Sequence, residues 1–499
     1  MSNFDWRSTD MRIAVVLASF ISSALLRVSP ASLNDDAYLY IHTADIFLEQ
    51  GLQAAAAHYS WPLFSILIAF VSKLGISLVS SAFLLNSLFF ALLSFSFVSI
   101  VQTIDSRKQT LIVSAIAILI FPELNDYRSM IIRDMGFWSL SCFSIWQLII
   151  FSKSHQLRAG ISFSVALILA AGFRMEALLY LLLLPALLLA AQTKQEIMAT
   201  FPKLAVVIAS LLFIVFLLLL SNGVNPIVQI SEFASTYKPF LDHFLGLDSD
   251  QSSAIATAVF GEFAATYSQE YLWLFMTAGL LSLLIASLIS GIGTPLFVFI
   301  AAWKLKVHPS IERQSLRILI GYMGINLLIV ASFVLLTRFL PSRYTMVFAL
   351  VALIFVVLVI GVMLGSEQLR KRGFVRYGLA FLVVYCTIGS YYSFGAQKPY
   401  IQDSISWLSE QELGSSAFLT NNHAIAYHSG RVQQYDKIVR NLSESEILAI
   451  GDNGWLVVEL NSKMELLMEK LISNNQVKLE RVFPETMHPK IAVYRLYEK

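Results

Sequence analysis

Carboxylates and arginines stand at a few isolated places in an otherwise apolar sequence, and these places are the candidates for chemistry. Charged residues make up only 14% of the 499 residues, whereas hydrophobic residues make up 57%. An ionisable side chain that faces lipid costs on the order of a few kcal/mol. Charged groups next to apolar runs are therefore candidates for proton transfer or for binding a charged substrate.

The first cluster is an acidic pair, Asp35 and Asp36, which follows the first apolar run and precedes Tyr38. Neighbouring residues of a helix lie about 100° apart, so one carboxylate can point into a cavity while the other faces water. A carboxylate within reach of a hydroxyl can act as a general base. Alternatively, one of the two caps the following helix. We predict that Asp36 is the base and Asp35 the cap, and the reverse assignment stays open.

Two further clusters combine an arginine with a carboxylate at the end of an apolar run. Arg133 precedes Asp134 in a loop that also contains Arg128, and Arg174 lies two residues before Glu176. Such groups can orient a substrate through charged hydrogen bonds. Each pair also has a structural alternative. The first can anchor a helix end at the membrane interface, and the second can be an ion pair between packed helices.

The fourth cluster consists of Arg338, Arg343 and Tyr344 around Pro341. Guanidinium groups at headgroup depth can be ordinary anchors whose charge reaches water. Two arginines that converge on one place also suit a phosphate, which they bind through charge-assisted and often bidentate hydrogen bonds. The cluster therefore predicts a phosphate contact, with anchoring as the alternative.

Other reaction classes have no support in the sequence. It contains no phosphate-binding glycine loop of the Walker type, no dinucleotide fingerprint, no metalloprotease motif and no nucleophile elbow. His42 and His58 are isolated, and Cys142 and Cys386 lie within apolar runs, so we predict neither a metal nor a cofactor. A net charge of +2 gives no indication of nucleic-acid binding.

Long apolar runs are the elements that must position these clusters. Crossing a hydrocarbon core of about 30 Å takes on the order of 20 residues of helix. The hydropathy pattern predicts about eleven spans, near residues 12–28, 80–101, 109–122, 135–151, 159–173, 176–191, 203–221, 271–303, 316–337, 344–364 and 374–392.

The positive charges of the connections predict the orientation of these spans. Leaving the C-terminal segment aside, Lys and Arg number sixteen in one alternating set of connections and eight in the other. Because short cytoplasmic loops retain positive charge, we predict a cytoplasmic N-terminus and an extracytoplasmic C-terminus. The alternation requires that the short run 61–71 does not cross the membrane. All four clusters then face the extracytoplasmic side, which predicts a single site.

The chain divides into two parts by hydropathy. Residues 1–398 form the membrane domain, whose larger extracytoplasmic loops are about 29–79 and 222–270. Residues 399–499 read as a soluble α/β domain, with strands at 416–419, 455–459 and 490–496 and helices at 442–450 and 462–472. The predicted fold is therefore mainly α: a polytopic helical membrane bundle with juxtamembrane helices and a small C-terminal α/β domain.

Together, the order of these motifs resembles the GT-C class of polyprenyl-phosphate-sugar glycosyltransferases, which includes the aminoarabinose and protein O-mannosyl transferases. The resemblance covers nearly the whole chain, and each motif alone is short. The motifs that carry the resemblance are the acidic pair, Trp61-Pro62-Leu63-Phe64, Arg133-Asp134-Met135-Gly136-Phe137-Trp138, Phe173-Arg174-Met175-Glu176-Ala177-Leu178, Leu340-Pro341-Ser342-Arg343-Tyr344, and Leu419-Thr420-Asn421-Asn422 with Ala426-Tyr427-His428-Ser429-Gly430-Arg431. The chain departs from the class in having Asp35-Asp36 instead of Asp-Glu or a spaced pair, and in lacking a Lys-Pro-Pro motif at 61–62.

The resemblance implies a multi-pass enzyme of the inner (plasma) membrane that takes a sugar from a polyprenyl-phosphate donor. The acceptor would be a glycan, lipid or protein on the extracytoplasmic face. Asp36 or Asp35 would be the general base, and Arg338 and Arg343 would stabilise the departing phosphate. Tyr38, Arg133, Asp134, Arg174, Glu176 and Tyr344 would contact sugar or acceptor. The missing lysine leaves open which cation meets the phosphate.

Three alternatives compete with this interpretation. One is a polysaccharide polymerase or ligase of the O-antigen type, which generally has a large late outer loop and lacks the acidic pair. Another is a lipid or polysaccharide transporter, which favours repeated halves and polar residues at the bilayer midplane, and the sequence has neither. The last is a non-catalytic scaffold on the same fold.

Overall fold

The computed structural model describes residues 10–27, 33–189, 194–228, 230–232, 234–235, 238, 249–392, 398–411, 416–486 and 488–497. It confirms a polytopic helical bundle followed by a small sheet. Seven of the described helical segments are long and apolar enough to cross a membrane, and five shorter apolar helices accompany them. The first half of the bundle contains helices α1 Met11–Arg27, α2 Asp35–His58, α3 Leu63–Ser72, α4 Leu78–Ile104, α5 Lys108–Leu119, α6 Pro122–Asn125, α7 Asp134–Ser154, α8 Leu157–Phe173, α9 Ala177–Leu189 and α10 Lys194–Ser221.

The second half of the bundle contains helices α11 Ser249–Phe260, α12 Glu262–Ser268, α13 Leu272–Ile292, α14 Leu296–Leu305, α15 Arg313–Thr337, α16 Met346–Gly365, α17 Glu367–Arg370 and α18 Gly373–Tyr391, with 3₁₀ turns at Gln269–Tyr271 and Ser342–Thr345. Most predicted spans coincide with one helix each. Residues 241–248 of the predicted second loop lie outside the described residues.

The predicted span 271–303 is wrong as a single helix. It is divided into α13 and α14 at Gly293, whose φ of 65° an L-residue rarely adopts. Pro295 follows two residues later and lacks the N–H that a continuous helix requires. The break was not predicted, because hydropathy carries no information about the backbone conformation of a single residue.

Three helices form the centre of the bundle. In the most apolar stretches of Asp134–Ser154 and Ser342–Gly365, 78% of the residues are buried inside the protein, and in Leu78–Ile104 the share is 67%. By contrast, the share is 11% in Phe201–Ser221 and 6% in Glu262–Ile292. The central helices therefore pack against protein, and the outer ones present their apolar side chains to lipid. Since Arg133, Asp134 and Arg343 stand at the starts of central helices, the predicted clusters lie over the middle of the bundle.

The connection between α1 and α4 is helical and contains a sharp kink. Helix α2 breaks at Gly51, with φ 83° and ψ −172°, so its last turns run in a new direction. Helix α3 has only 10 residues, which at 1.5 Å per residue covers about half of a hydrocarbon core. The indole N–H of Trp61 donates to the carbonyl of Ala171 at 2.6 Å and ties this connection to α8. The length of α3 agrees with the prediction that 61–71 does not cross.

The C-terminal segment contains a four-stranded sheet in the order β1, β2, β4, β3. Helix α19 precedes strand β1; β1 and β2 are parallel, and the other two pairs are antiparallel. The elements are α19 Pro399–Glu410, β1 Phe418–Thr420, α20 His423–Ser429, α21 Glu444–Leu448, β2 Trp455–Glu459, α22 Ser462–Ser473, β3 Val477–Phe483 and β4 Ile491–Leu496. The predictions for β1, β2, β4, α21 and α22 agree within a few residues, whereas α19, α20 and β3 were not predicted. The proposed boundary at 398/399 stays a prediction.

Candidate functional site

An asparagine fixes the start of α2 against the loop before α7. The side-chain amide of Asn34 donates to the carbonyl of Ile131 at 3.0 Å and accepts from its N–H at 2.9 Å. Asn34 occupies the N-cap position of α2, so the predicted cap role of Asp35 is wrong: Asp35 and Asp36 are the first two helical residues. Both carboxylates remain in the first turn, where the helix dipole favours negative charge. This double hydrogen bond therefore sets the acidic pair beside Arg133 and Asp134.

Asp36 and Arg343 meet across the bundle. Nη1 of Arg343 donates to Oδ2 of Asp36 at 2.7 Å, although the two residues are 307 positions apart in the chain. The side chain of Asp36 is 43% exposed and that of Arg343 33%. A carboxylate and a guanidinium thus face solvent together. This arrangement can offer a proton acceptor and an anion-binding group to one ligand.

Beneath this pair lies a buried network around Arg174. Its Nη1 donates to Asp134, and its Nη2 donates to Glu176 at 2.6 Å. The side chains of Arg174 and Asp134 are only 5% and 3% exposed. One guanidinium therefore forms ion pairs with two carboxylates at this place in the protein.

Tyr344 connects the buried network to the half-exposed pair. The guanidinium carbon of Arg174 lies 3.9 Å from the centre of the Tyr344 ring. The ring also stacks on Phe333, with centroids 4.2 Å apart. Because Tyr344 follows Arg343 directly, these contacts fix the backbone from which Arg343 extends toward Asp36. The phenol oxygen of Tyr127 and the hydroxyl of Ser342, 2.7 Å apart, add a further hydrogen bond there.

Arg133 lies beside the aromatic end of α2. Its guanidinium carbon is 5.4 Å from the ring centre of Tyr59. Tyr59 packs edge-on against Tyr40, whose side chain is buried. Arg133 thus joins the start of α7 to the end of α2.

Two arginines of the predicted clusters have other positions. Arg128 is 4% exposed and donates from Nε to Asn125 at 2.6 Å and from Nη1 to Ser23 at 2.9 Å, so it joins the loop to α1. Arg338 is exposed at the C-cap of α15 with φ 58°. Among the described residues it has no ion pair with Asp36. Its predicted contact with a phosphate stays a prediction.

Asp35 and Tyr38 face the C-terminal segment instead of Arg343. A cavity of about 420 Å³ opens between the start of α2 and the loops beside β1 and β2. Tyr38 is buried and stacks on His423, with ring centroids 5.9 Å apart. The cavity is lined by charged and polar side chains that include Asp35, Lys398, Asn421, Arg440 and Glu459. The two adjacent carboxylates thus belong to different surroundings, as their 100° separation predicts.

A second, mostly apolar groove of about 640 Å³ lies between α13, α14 and α18. Its charged lining residue is Glu123, whose Oε2 is buried without a hydrogen-bond partner among the described residues. Burial raises the pKa of Glu123 to about 7. A Cβ at Gly291 would lie 2.5 Å from the hydroxyl of Thr345, so the backbone of α13 contacts the turn that carries Arg343. The groove therefore begins beside the phosphate-binding candidate.

Comparison with known proteins identifies the fold. No protein-family model and no curated protein matches the sequence. The archaeal oligosaccharyltransferase AglB from Archaeoglobus fulgidus, solved with an inhibitory peptide and a dolichol-phosphate, aligns with 91% of this chain and 70% of its own at a TM-score of 0.50 and 12% identity. ArnT from Cupriavidus metallidurans in the apo state aligns with 97% of both chains at a TM-score of 0.50 and 11% identity.

These matches confirm the predicted resemblance at the level of the fold. AglB and ArnT are GT-C glycosyltransferases, and this chain has the same polytopic fold. At about 11–12% identity the likeness extends to architecture and not to individual side chains. What the site does must therefore be argued from its own residues.

Proposed function

We propose that the protein is a membrane glycosyltransferase that moves a sugar from a polyprenyl-phosphate donor to an acceptor on the extracytoplasmic face. The observation that carries this proposal is the half-exposed pair of Asp36 and Arg343. The GT-C fold supports it, and the similar AglB structure contains a dolichol-phosphate, a lipid of the proposed donor class. The competing polymerase and transporter functions gain no specific support from the site.

Asp36 is the proposed general base. The acceptor hydroxyl forms a bond to the anomeric carbon of the donor sugar, and the bond from that carbon to the phosphate oxygen breaks. The hydroxyl proton passes to Asp36, and the electron pair of the broken bond leaves with the polyprenyl phosphate. Asp36 uses Oδ2 for Arg343, so Oδ1 is the oxygen proposed to take the proton. Asp35, which faces the polar cavity, is the alternative base.

Arg343 is the proposed phosphate ligand. A guanidinium has five N–H donors, and the contact with Asp36 uses one of them. The remaining donors match the oxygens of a phosphate in a bidentate arrangement. Stabilising the negative charge that develops on a leaving group is usually a large contribution to catalysis. The same guanidinium would thus hold the departing phosphate close to the base.

The apolar groove between α13, α14 and α18 is proposed to hold the lipid chain of the donor. Ile289, Phe297 and Ile388 contribute to its lining, and it begins next to Thr345. A polyprenyl chain is apolar, so its burial there is favourable. The phosphate at the end of the chain would then reach Arg343.

Asp134, Arg174 and Glu176 are proposed to position the site. Arg174 forms ion pairs with both carboxylates and lies against Tyr344. Such a network holds Arg343 in place and leaves the sugar to contact the half-exposed Asp36 and neighbouring groups such as Arg133. Direct contact of Glu176 with the acceptor is the alternative, since its side chain is 18% exposed.

The orientation is part of the proposal, with the N-terminus cytoplasmic and the C-terminal segment extracytoplasmic. Cysteines introduced at the exposed positions Ser473 and Gln368 test it. Both native cysteines are buried, which keeps the background low. In intact spheroplasts an impermeant maleimide should label Ser473→Cys and leave Gln368→Cys unlabelled. Equal labelling of the two variants contradicts the orientation.

The reaction itself is tested by mass spectrometry of envelope glycans, lipids and glycoproteins from cells with and without the gene. We expect one class of sugar modification to disappear in the deletion and to return with the wild-type gene. A gene that encodes Asp36→Asn at matched expression should not restore it. Unchanged sugar content in the deletion contradicts a glycosyltransferase function, and full restoration by the variant contradicts the assignment of the base.

A further inference from the structure

Two histidines and an aspartate converge where α2 meets the C-terminal segment. Nδ1 of His42 lies 2.5 Å from Oδ1 of Asp436, and Nε2 of His58 lies 2.9 Å from Oδ2. The sequence gives little indication of this group, because His58 and Asp436 are 378 residues apart. The kink at Gly51 turns the end of α2 back, so that the two imidazole rings lie 4.9 Å apart.

We propose that His42, His58 and Asp436 bind a divalent transition metal, with Zn²⁺ as the preferred ion. The donor set is two imidazole nitrogens and one carboxylate, and one ligand atom from each residue lies within 4.8 Å of the others. Zinc takes such nitrogen and oxygen ligands in a tetrahedral arrangement, in which three protein ligands leave one position for water. The site is separate from the pair of Asp36 and Arg343 and does not depend on the proposed function.

The geometry needs only a small adjustment to hold the ion. Ligands of a tetrahedral zinc with bonds of about 2.0–2.1 Å lie roughly 3.3 Å apart. The two histidine–carboxylate distances, 2.5 and 2.9 Å, would therefore increase by less than about 1 Å. The side chains of His42 and His58 are 17% and 11% exposed, which gives an ion a route to the site, whereas Asp436 is fully buried.

Neighbouring residues orient two of the three ligands. The ring of His42 stacks on Tyr435, the residue before Asp436, with centroids 4.7 Å apart. The carbonyl of Tyr435 in turn accepts a hydrogen bond from Nδ1 of His423 at 2.7 Å. These contacts orient both a ligand ring and the backbone that carries the carboxylate, as outer contacts do in metal sites.

A bound ion would join α2 to the C-terminal segment. His42 lies six residues after Asp36 on the same unbroken part of the helix, and Asp436 belongs to the loop between α20 and α21. The ion would thereby fix the C-terminal segment over the start of α2. Without a metal, the same three residues are a hydrogen-bonded clamp in which two imidazole rings contact one carboxylate.

The experiment distinguishes these two states. The full-length protein, purified in detergent with an affinity tag that contains no histidine, is stripped with chelator, incubated with ZnCl₂, desalted and analysed for metal by mass spectrometry. We expect about one zinc per chain and a higher melting temperature with zinc than without it. Cobalt(II) in place of zinc should give the visible d–d absorption of a tetrahedral site.

Single substitutions show whether the three residues are the ligands. His58→Gln and Asp436→Asn should weaken zinc binding at least 100-fold, since even loss of an outer contact costs about 10–100-fold. The exposed His428, in the same segment, provides the control: His428→Gln should retain the ion. Wild-type protein that retains no zinc and shows no zinc-dependent melting shift overturns the proposal, and so does equal binding by all variants. The wild-type result is decisive even if Asp436→Asn does not fold.

Discussion

Two ion pairs of the same chemical type lie at one end of the bundle and differ mainly in exposure. Asp134 and Arg174 are 3% and 5% exposed, whereas Asp36 and Arg343 are 43% and 33% exposed. Both join an acid in the first turn of one helix to an arginine from a distant segment. Residue type and helix position are therefore equal in the two pairs. Their roles are separated by burial, which the packing of the whole bundle determines.

The physical consequence is that the two pairs differ in how freely they can exchange partners. An exposed ion pair contributes about 0–1 kcal/mol, so Arg343 can turn from Asp36 to a phosphate at little cost. A buried pair that loses one partner leaves an uncompensated charge in the interior. Asp134 and Arg174 are therefore suited to structure, and Asp36 and Arg343 to binding and proton transfer.

The largest effect is expected for Arg174→Met, which leaves Asp134 and Glu176 buried without their cation. The free energy of unfolding should fall by about 3–5 kcal/mol. The melting temperature of the purified protein, measured beside the exposed control Arg338→Ala, reports the change. A variant as stable as the control would show that the network does not hold the bundle together. Arg174→Lys, which keeps the charge, should lie between the two.

Asp36→Asn tests the role of the half-exposed pair. The turnover number should fall by about 10²–10⁴-fold because general-base catalysis contributes on that scale. Melting temperature and donor binding should remain near wild type, since the carboxylate is half exposed. Sugar transfer and donor binding are measured separately in membranes at matched expression. A variant that melts early but transfers sugar normally reverses the proposed roles of the two pairs.

Arg343→Lys keeps the positive charge and removes the planar fork. The loss of a charged hydrogen bond, about 1.5–3 kcal/mol, should lower sugar transfer by roughly 10–100-fold. Arg338→Ala should change transfer far less, because Arg338 is exposed and apart from Asp36. Binding of undecaprenyl phosphate to both purified variants provides a second readout. An equal loss of sugar transfer in the two variants would indicate that Arg338 also contacts the phosphate.

Glu123 extends the comparison to a partly buried carboxylate that has no ion pair among the described residues. Its pKa is raised from 4.5 to about 7 by burial. An acid with a raised folded-state pKa gives its full stability below pH 4.5 and loses it as the pH rises through about 7. Glu123→Gln removes this titration and should gain about 1–3 kcal/mol over the wild type on the alkaline side. Melting temperatures of both proteins across this interval measure it, and parallel curves contradict the assignment.

The smallest effect is expected for Asp35→Asn. Asp35 lies in the first turn of α2, where loss of its charge costs about 0.3–1 kcal/mol of helix stability. Sugar transfer should stay close to wild type if Asp36 is the base. A large loss of transfer in Asp35→Asn with normal transfer in Asp36→Asn would assign the base to the carboxylate in the polar cavity.

Patterns carried by many residues were predictable from the sequence, and features set by one residue were not. Apolar runs gave the spans because each averages over some twenty side chains. Gly293 divided one of them through its backbone conformation alone. Strand β3 was missed because it lies at the sheet edge and its alternation is short: Lys478 and Glu480 alternate with apolar residues, but Arg481 breaks the pattern where the pairing register shifts.

For the site, the sequence identified candidate residues without their partners. Asp36 and Arg343 were both predicted, and the structure shows that they meet. Arg338 has the same residue type and a similar position at a helix end, yet among the described residues it forms no ion pair with Asp36. The contact of Asn34 with Ile131 could not be predicted from the sequence, because Asn34 binds the backbone of Ile131 and not its side chain. Which charges converge depends on helix packing, and sequence spacing does not encode it.

The 307 residues between Asp36 and Arg343 also bear on how the protein is made. A chain leaves the ribosome from its N-terminus at about 5–20 residues per second, so α2 is present well before Arg343 is synthesised. During that interval Asp36 has no arginine partner from the 342–345 turn, and water must solvate it at the membrane surface. A nascent or truncated chain that ends before this turn has all of its early helices and no assembled site. The order of synthesis thus delays the assembly of the site until most of the bundle exists.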